Sequence, residues 1–293
     1  MTVGTTSDCL HPNLITLGHI PAVVMQTTTG QLPVDSQHLY GGFNLGLHVH
    51  DNPVQVHRNR CILLAEIQQQ YPHIQRIQWL NQVHGDSVYH VTDGVTDPNA
   101  NFVKALATCA DAHITTLADT ALAIMTADCV PIMISDSDGE MIAAIHAGWQ
   151  GLAKGIIAKT VQKIVHQITL DNQRIRLQAL HPITQGWQAW VGACIAQVHY
   201  EVDSRVRNAM LSQLTVDDIT AHALFSPNPN RAGHYFADLA KVAELQLNKL
   251  GISHVYQSGL DSYADRRFYS YRQQTQQGLA YTGRMATLIF KNC

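Results

Sequence analysis

Three short segments of this sequence hold the residue types best suited to bind a metal ion. They span 81–85, 126–131 and 144–151, and they supply His84, Cys129 and His146. Two imidazoles and one thiolate form a three-ligand set, which in catalytic zinc sites leaves a fourth position open for water. Taken singly, each residue also fits an ordinary structural role, because cysteine is among the most buried residue types. The spacing alone is compatible both with a catalytic zinc centre and with a core thiol at Cys129.

Short apolar runs surround these segments and predict the elements that position them. Runs over 74–80, 87–92, 121–127, 130–136 and 141–147 are bounded by turn residues, which is typical of buried strands. The residues at 136–139 read Asp-Ser-Asp-Gly, a turn that predicts an antiparallel hairpin of the last two strands. Each candidate ligand then lies at the end of a strand, where functional sites are commonly built.

Helices are predicted at four places in the chain. Asn52 and Pro53 are suited to begin a helix that ends near Tyr71. Apolar periodicity predicts further helices over 152–168, 201–214 and 236–251, the last capped by Gly251. A final strand is expected over 281–290. Strand pairs adjacent in sequence, mixed with helices, favour an α/β class with mixed (α+β) sheets, and we expect one domain over 1–293.

Composition limits the classes of function. The 19 Lys and Arg residues nearly balance the 22 Asp and Glu residues, so no basic surface for nucleic acid is expected. The sequence has no apolar run long enough to cross a membrane and no secretion signal at its start. Its six cysteines are dispersed, which is typical of reduced thiols. These features predict a cytoplasmic protein that acts without a membrane or nucleic-acid partner, as a monomer or a weak homo-oligomer.

Several motifs resemble those of the YfiH-like family. They are QVHG at 82–85, ADAHIT at 110–115, TADCVPI at 126–132, HAGWQG at 146–151, SYR at 270–272 and TGR at 282–284. The similarity extends from about residue 20 to residue 290. The family was formerly described as multicopper polyphenol oxidases or laccases and is now grouped as purine nucleoside phosphorylases with adenosine deaminase activity. Its bacterial members are also linked to peptidoglycan editing.

The resemblance implies a single domain of stacked sheets and helices that binds zinc. It places the zinc on the residues matching His84, Cys129 and His146, which would also be catalytic. It further implies that Arg60, Arg272 and Asn44 lie near the substrate, with Arg60 contributing to catalysis. A planar guanidinium suits phosphate, although a surface salt bridge is an equally open interpretation for each arginine. The expected partners are a purine nucleoside and phosphate.

The sequence departs from the family pattern at four places. Thr28 and Gln150 replace two arginines, in the segments 27–31 and 146–151. Gly192-Ala193 stands where the family has Gly-Pro, and 259–262 lacks a Cys-Thr pair. Loss of the two arginines weakens the expectation of phosphate binding, so another reaction could replace phosphorolysis.

Other residues leave alternatives open. Asp111 is predicted either to orient a metal ligand or to stabilise a turn or a helix cap. His48 and His50 alternate as on a strand, but one such pair falls short of a copper cluster, so zinc is favoured over copper, and the two histidines are expected to be solvated or hydrogen-bonded. Arg284 is a further cationic candidate. Aromatic side chains able to stack on a purine are Trp79, Trp149, Tyr269 and Tyr271.

Two functions compete with the zinc-dependent nucleoside enzyme. In the first, Cys129 is the nucleophile of a metal-free hydrolase that edits a peptide or cell-wall precursor, with His84 or His146 as its base. In the second, zinc is structural and the protein is a binding module without turnover. A laccase-type oxidase is disfavoured, since the sequence shows no type-1 copper spacing of Cys, His and Met.

Overall fold

Two β-sheets stacked face to face form the centre of the described chain. The structure is a computed structural model that describes residues 14–19, 21–30, 40–92, 108–172 and 181–292. Its strands are β1 (Ile15–Gly18), β2 (Ala22–Gln26), β3 (Arg76–Gln78), β4 (Val88–Val91), β5 (Ala112–Thr115), β6 (Thr120–Thr126), β7 (Val130–Ser135), β8 (Ile142–Ala147), β9 (Gln188–Val191), β10 (Glu201–Asp203), β11 (Phe225–Pro227), β12 (His234–Ala237), β13 (His254–Gln257) and β14 (Met285–Lys291). Its helices are α1 (Pro53–Gln70), α2 (Trp149–Ala153), α3 (Ile156–Asn172), α4 (His181–Thr184), α5 (Ser204–Leu211), α6 (Asp218–Leu224), α7 (Leu239–Lys249) and α8 (Tyr271–Gln276).

The strands form three sheets of mixed direction. Sheet I has the order β1-β2-β14-β6-β3, sheet II the order β13-β9-β7-β8-β5-β4, and sheet III the order β10-β12-β11. In sheet I, β3 and β6 are parallel while β6 and β14 are antiparallel. Sheet II likewise combines the parallel pair β9 and β13 with the antiparallel pair β7 and β8. The predicted α/β class with mixed sheets is confirmed.

Apolar layers on both faces of the two large sheets hold the domain together. Ile124 and Ile289 of sheet I pack with Met133 and Trp190 of sheet II in the layer between the sheets. The outer face of sheet I packs against α1, and the outer face of sheet II against α3 and α7. Strands β6, β7 and β8 are buried on both faces. This double burial explains why they read as continuous apolar runs instead of alternating ones.

Local signals placed several elements correctly. Helix α1 begins after Asn52, whose side chain accepts the Val54 N–H, and Pro53 is its first residue. Strands β7 and β8 form the predicted antiparallel hairpin. Its turn is closed by the Asp136 carboxylate, which accepts the backbone N–H groups of Glu140 and Met141 at 2.8 and 3.1 Å.

Four predicted elements were wrong in extent. The helix expected over 152–168 is divided into α2 and α3, with Gly155 between them at φ +74°. The helices expected over 201–214 and 236–251 begin later, because 201–203 and 234–237 pair as β10 and β12. Asp203 and Asp238 cap the two shortened helices. The last strand begins at Met285 instead of residue 281, since Arg284 is held in a loop by Asn44.

Two of the six cysteines, Cys9 and Cys293, lie outside the described residues, as does Gln31 at the end of the segment 27–31. Among the helices that are described, none combines the length and apolar character needed to span a bilayer.

The chain passes from sheet I to sheet II twice in the region that matters for function. The first passage joins β3 to β4 and contains His84, and the second joins β6 to β7 and contains Cys129. His146 lies on β8, where Pro131 of the neighbouring β7 is its register partner. Both passages therefore open onto the same edge of the stacked sheets.

Candidate metal centre and active site

His84, Cys129 and His146 converge at this edge. One ligand atom from each residue lies within 4.8 Å of the others. The Cys129 Sγ is 3.9 Å from the His84 Nε2, and the two imidazole rings meet edge-on with centroids 4.7 Å apart. His146 is buried, Cys129 is half-buried and His84 is exposed. The predicted three residues are thus brought together with one side open to solvent.

Asp111 is the buried group that organises two of these residues. Its Oδ1 lies 2.8 Å from the His146 Nδ1, which fixes the ring and leaves Nε2 to hydrogen-bond Cys129. The same carboxylate accepts the backbone N–H groups of Val83, His84 and Gly85 at 3.2, 2.9 and 2.6 Å. The Asp111 carbonyl also accepts the His146 N–H at 2.7 Å. A carboxylate behind a ligating imidazole is a recurrent feature of metal sites, and Asp111 is positioned to orient the His146 ring in this way.

Unusual backbone conformations bring the ligand atoms close. His84 has φ +56° and Asp128, next to Cys129, has φ +90°. Residues other than glycine rarely adopt a positive φ, and those that do are often found at functional sites. Gly148 leaves room for both side chains, because a Cβ at this position would stand 2.9 Å from the Cys129 Sγ and 3.4 Å from the His84 Cδ2.

The charges at the centre favour an anionic sulfur. Burial alone would raise the pKa of Cys129, but the charge of His146 and hydrogen bonds from both imidazoles lower that pKa to about 6. Burial opposes the charged form of His146, yet the Cys129 thiolate and Asp111 raise its pKa to about 9. The hydrogen bonds and charge of its partners outweigh burial and lower the pKa of Asp111. Two anionic groups therefore flank His146, and this field attracts a cation.

An open cavity of about 610 Å³ lies over the three residues. The volume is within the range of small-molecule sites. Both neutral and charged polar groups face it together with aromatic ones. The lining consists of His48, Gln82, Val83, His84, Met125, Thr126, Ala127, Asp128, Cys129, His146, Trp149, Gln150, Tyr200, Leu239, Tyr271, Arg272 and Arg284.

Two arginines contribute cationic groups to the cavity. The backbone N–H of Arg272 donates to Asp128 Oδ2 at 2.6 Å, and its guanidinium lies over the Tyr200 ring, 5.0 Å from the centroid. One guanidinium nitrogen of Arg272 also donates to the Glu201 carbonyl at 3.1 Å. Arg284 is tethered through its Nη1 to the carbonyls of Thr282 and Gly283, each at 3.0 Å. Burial lowers the pKa of Arg284 against the opposing charge of Cys129.

Arg60 and Asn44, which were predicted to contact substrate, lie outside the cavity lining. The Arg60 guanidinium donates twice to the Leu45 carbonyl, at 3.0 and 2.8 Å, and covers the Trp79 ring at 4.1 Å. The Asn44 amide donates to Asp51, while its Oδ1 accepts the N–H of Arg284 at 2.8 Å. These placements favour a structural role for both residues over the predicted phosphate contact.

The remaining candidates divide between the cavity and the core. Trp149 and Tyr271 line the cavity, whereas Trp79 and Tyr269 are buried in the core. Gln150 also lines the cavity. Thr28 lies in a separate depression with Arg266 and Arg267, so the two arginine replacements do not share one cavity.

The histidine pair was expected on a strand and is found in a turn. His48 faces the cavity, whereas His50 has φ +66° and packs its ring on Tyr281 with centroids 4.6 Å apart. Both histidines are exposed, as expected for a solvated pair, and they face different surroundings.

Sequence reasoning missed Tyr200 and the role of Asp128. Tyr200 was not among the predicted site residues, but it follows a 3-10 turn at Gln197–His199 and lines the cavity. Asp128 is buried and accepts hydrogen bonds from the Ser262 hydroxyl at 2.7 Å and from Arg272. Its position next to Cys129 in the sequence could have indicated a role at the site. Its distant partners were not visible in the local pattern.

Known proteins resemble this chain over most of its length. A family model described as multi-copper polyphenol oxidoreductase laccase matches residues 24–292. A purine nucleoside phosphorylase of Pseudomonas aeruginosa is 32% identical over 271 residues, covering 92% of this chain and 94% of that protein. The purine nucleoside phosphorylase YfiH of Escherichia coli is 32% identical over 252 residues, covering 86% and 87%. The crystal structure of the Bacillus licheniformis hypothetical protein YfiH has a TM-score of 0.75 at 25% identity, covering 96% and 97%.

Proposed function

Because the chain belongs to the YfiH family, whose relatives include purine nucleoside phosphorylases, we propose that it is a zinc-dependent purine nucleoside phosphorylase. The observation that carries the proposal is the convergence of His84, Cys129 and His146 beneath a cavity with two arginines. The substrates would be a purine nucleoside, such as inosine or adenosine, and phosphate. Its cytoplasmic location, its domain extent and its oligomeric state remain predictions.

The donor set fits zinc. Ligand atoms of a tetrahedral site with nitrogen and sulfur donors stand ~3.5 Å apart, given metal–ligand bonds of about 2.0–2.3 Å. The 3.9 Å between Cys129 Sγ and His84 Nε2 is slightly wider, and all three ligand atoms lie within 4.8 Å of one another. Because Asp111 holds the Nδ1 of His146, Nε2 is the nitrogen that would bind the metal, in place of its hydrogen bond to Cys129. A bound zinc would supply a Lewis acid and would lower the pKa of a water at the open position.

The arginines and aromatic rings are the groups through which the two substrates would bind. The guanidinium groups of Arg272 and Arg284 would hold phosphate by charge-assisted hydrogen bonds. Trp149 and Tyr271 offer ring faces on which a purine can stack. In phosphorolysis a phosphate oxygen bonds to the anomeric carbon while the glycosidic C–N bond breaks. The purine leaves with that electron pair and takes up a proton.

Adenosine deamination is a second reaction for the same centre. Hydrolytic removal of the C6 amino group needs an activated water, and the exposed side of the three-residue cluster is open to water. Deamination needs no phosphate, so it would tolerate the replacement of a family arginine by Gln150.

The multicopper description does not fit the side chains at this site. Within the described ranges, His84, Cys129 and His146 form the one group of three or more potential ligands close enough to share an ion. A blue-copper centre uses two histidines and a cysteine with a weak axial ligand, and a multicopper oxidase needs further copper sites. We therefore propose zinc, and not a multicopper assembly, for the centre.

Product analysis tests the proposal directly. Adenosine and inosine are incubated with zinc-loaded protein, each with and without phosphate, and the products are separated by chromatography. We expect phosphate-dependent release of adenine or hypoxanthine, and loss of that release in Cys129→Ala. Conversion of adenosine to inosine without phosphate would show deamination. Folded, zinc-loaded protein without any turnover would contradict the proposal and would favour the binding module.

A metal-free cysteine hydrolase is the second candidate. The observation in its favour is the lowered pKa of Cys129, because a thiolate stabilised by imidazoles is also the state of a nucleophilic cysteine. Covalent labelling of Cys129 by an electrophile, with peptide hydrolysis unaffected by a chelator, would support this candidate. Protection of the thiol from labelling by added zinc would instead support the metal site.

A further inference from the structure

His48 lines the cavity but is neither one of the three proposed metal ligands nor one of the arginines proposed to bind phosphate. It lies in the turn between Leu45 and Asn52, and its exposed side lines the cavity. Its ring makes no hydrogen bond to any residue in the described part of the chain. Its neighbour in the same motif, His50, turns away and packs on Tyr281.

The turn that carries His48 is firmly held. The Arg60 guanidinium binds the Leu45 carbonyl at its start, and the Tyr40 hydroxyl donates to the Val49 carbonyl at 2.8 Å. Asn44 joins the same turn to the backbone of Arg284, which is itself a cavity residue. The imidazole is therefore presented to the cavity by a fixed backbone, as a binding group requires.

His48 carries no charge near neutral pH. Desolvation in the cavity, together with the positive charges of Arg284 and Arg60, lowers the pKa of His48 to about 4. A neutral imidazole offers one N–H donor and one nitrogen acceptor, which suit uncharged polar groups. Phosphate, by contrast, binds more strongly to arginines, and two arginines line the same cavity.

Thr126 is a second neutral polar residue in the lining of the cavity. It is 1% exposed, it lines the cavity, and its hydroxyl has no hydrogen-bond partner in the described part of the chain. A buried hydroxyl without a partner costs free energy, and a ligand atom would remove that cost.

We propose that His48 and Thr126 bind the nucleoside, the uncharged half of the substrate pair, through hydrogen bonds to its hydroxyl or ring groups. The inference rests on the proposed phosphorylase function and extends it. It assigns the nucleoside to neutral side chains of the cavity and phosphate to its arginines.

The test compares the Michaelis constants of the two substrates. His48→Ala and Thr126→Val are assayed for inosine phosphorolysis with each substrate varied in turn, and His50→Ala is the matched control. We expect the KM for inosine to rise about 10- to 100-fold in His48→Ala and about 5- to 10-fold in Thr126→Val, from the loss of one buried hydrogen bond. The KM for phosphate and the zinc content should not change, and His50→Ala should resemble the wild type.

Three results would overturn the inference. They are an unchanged KM for inosine in His48→Ala, an equal rise in both KM values, and a loss of zinc that would make His48 a metal ligand. Calorimetric binding of inosine to the zinc-loaded variants repeats the comparison without turnover. Wild-type protein that neither binds nor cleaves inosine would contradict the proposed function itself, whereas an active wild type with unaffected His48 and Thr126 variants contradicts the inference alone.

Discussion

Gly148→Ala should disturb the metal centre while leaving the fold intact. Gly148 has φ −72° and ψ 171°, a conformation open to alanine. The added methyl would stand 2.9 Å from the Cys129 Sγ and 3.4 Å from the His84 Cδ2. One small group is therefore placed directly against two of the three proposed ligands.

The structure sets the size of the effect. An ordinary contact between carbon and a larger atom is about 3.7 Å, so the sulfur must move by roughly 0.8 Å. Metal–ligand distances tolerate only about 0.2 Å, which is several times less than this shift. We expect zinc affinity to fall at least about 10-fold, or ~1.4 kcal/mol. Phosphorolysis should fall with zinc occupancy.

Competition with a metal chelator measures the affinity, and a double-mutant cycle shows where the methyl acts. In metal-free protein, Gly148→Ala should cost ~1–3 kcal/mol of unfolding free energy through overpacking against the sulfur. In the Cys129→Ala background the same change should be neutral, or stabilising by about 0.4–1 kcal/mol through the unfolded chain. Equal costs in both backgrounds, or unchanged zinc affinity in Gly148→Ala, would refute the placement of Cys129 at the centre.

Three further predictions concern charge and burial. His113 is 0% exposed with neither ring nitrogen hydrogen-bonded within the described residues, and burial lowers its pKa to about 3. Below about pH 6.5 the unfolded chain binds a proton that the folded chain excludes, so stability should fall by ~2 kcal/mol between about pH 7.5 and 5. Urea unfolding should show that His113→Met removes this share of the pH dependence, whereas the exposed-site control His254→Gln keeps it. Asp111→Asn should weaken zinc binding about 10- to 100-fold in the chelator assay, because the His146 ring and the loop at His84 lose their anionic acceptor; unchanged affinity would contradict the orienting role. Arg284→Gln should raise the KM for phosphate by about 10-fold with the KM for inosine unchanged, and a rise in the inosine constant alone would reverse the assignment.

The elements and ligands that could be predicted from sequence depend on local signals. Helix α1 carries its own N-cap at Asn52, and the hairpin of β7 and β8 carries its own turn around Asp136. The three proposed ligands each follow or end an apolar run, so a sheet places them at one edge. In such cases, residues a few positions apart contain most of the information.

The contacts that the local sequence pattern did not predict join residues far apart in the chain. Arg60 is held by Leu45, and Asn44 by Arg284, which is 240 residues away. The early start assigned to two helices has the same cause, because β10 becomes a strand only through its pairing with β12. An arginine or asparagine in a family motif is thus compatible with substrate binding and with scaffolding, and only tertiary contacts decide between them.

The contacts around the centre argue against a purely structural zinc. A structural zinc supplies the folding energy of its domain, whereas here the protein itself holds the proposed ligands. Asp111 fixes His146 and the backbone around His84, and the Asp128 carboxylate ties the passage containing Cys129 to Ser262 and Arg272. Preorganisation of this kind lowers the cost of binding and keeps the geometry of an open site precise. Because the same Asp128 carboxylate joins the passage containing Cys129 to the backbone of Arg272, the proposed metal and phosphate sites are set at a defined separation, as a reaction between two bound groups requires.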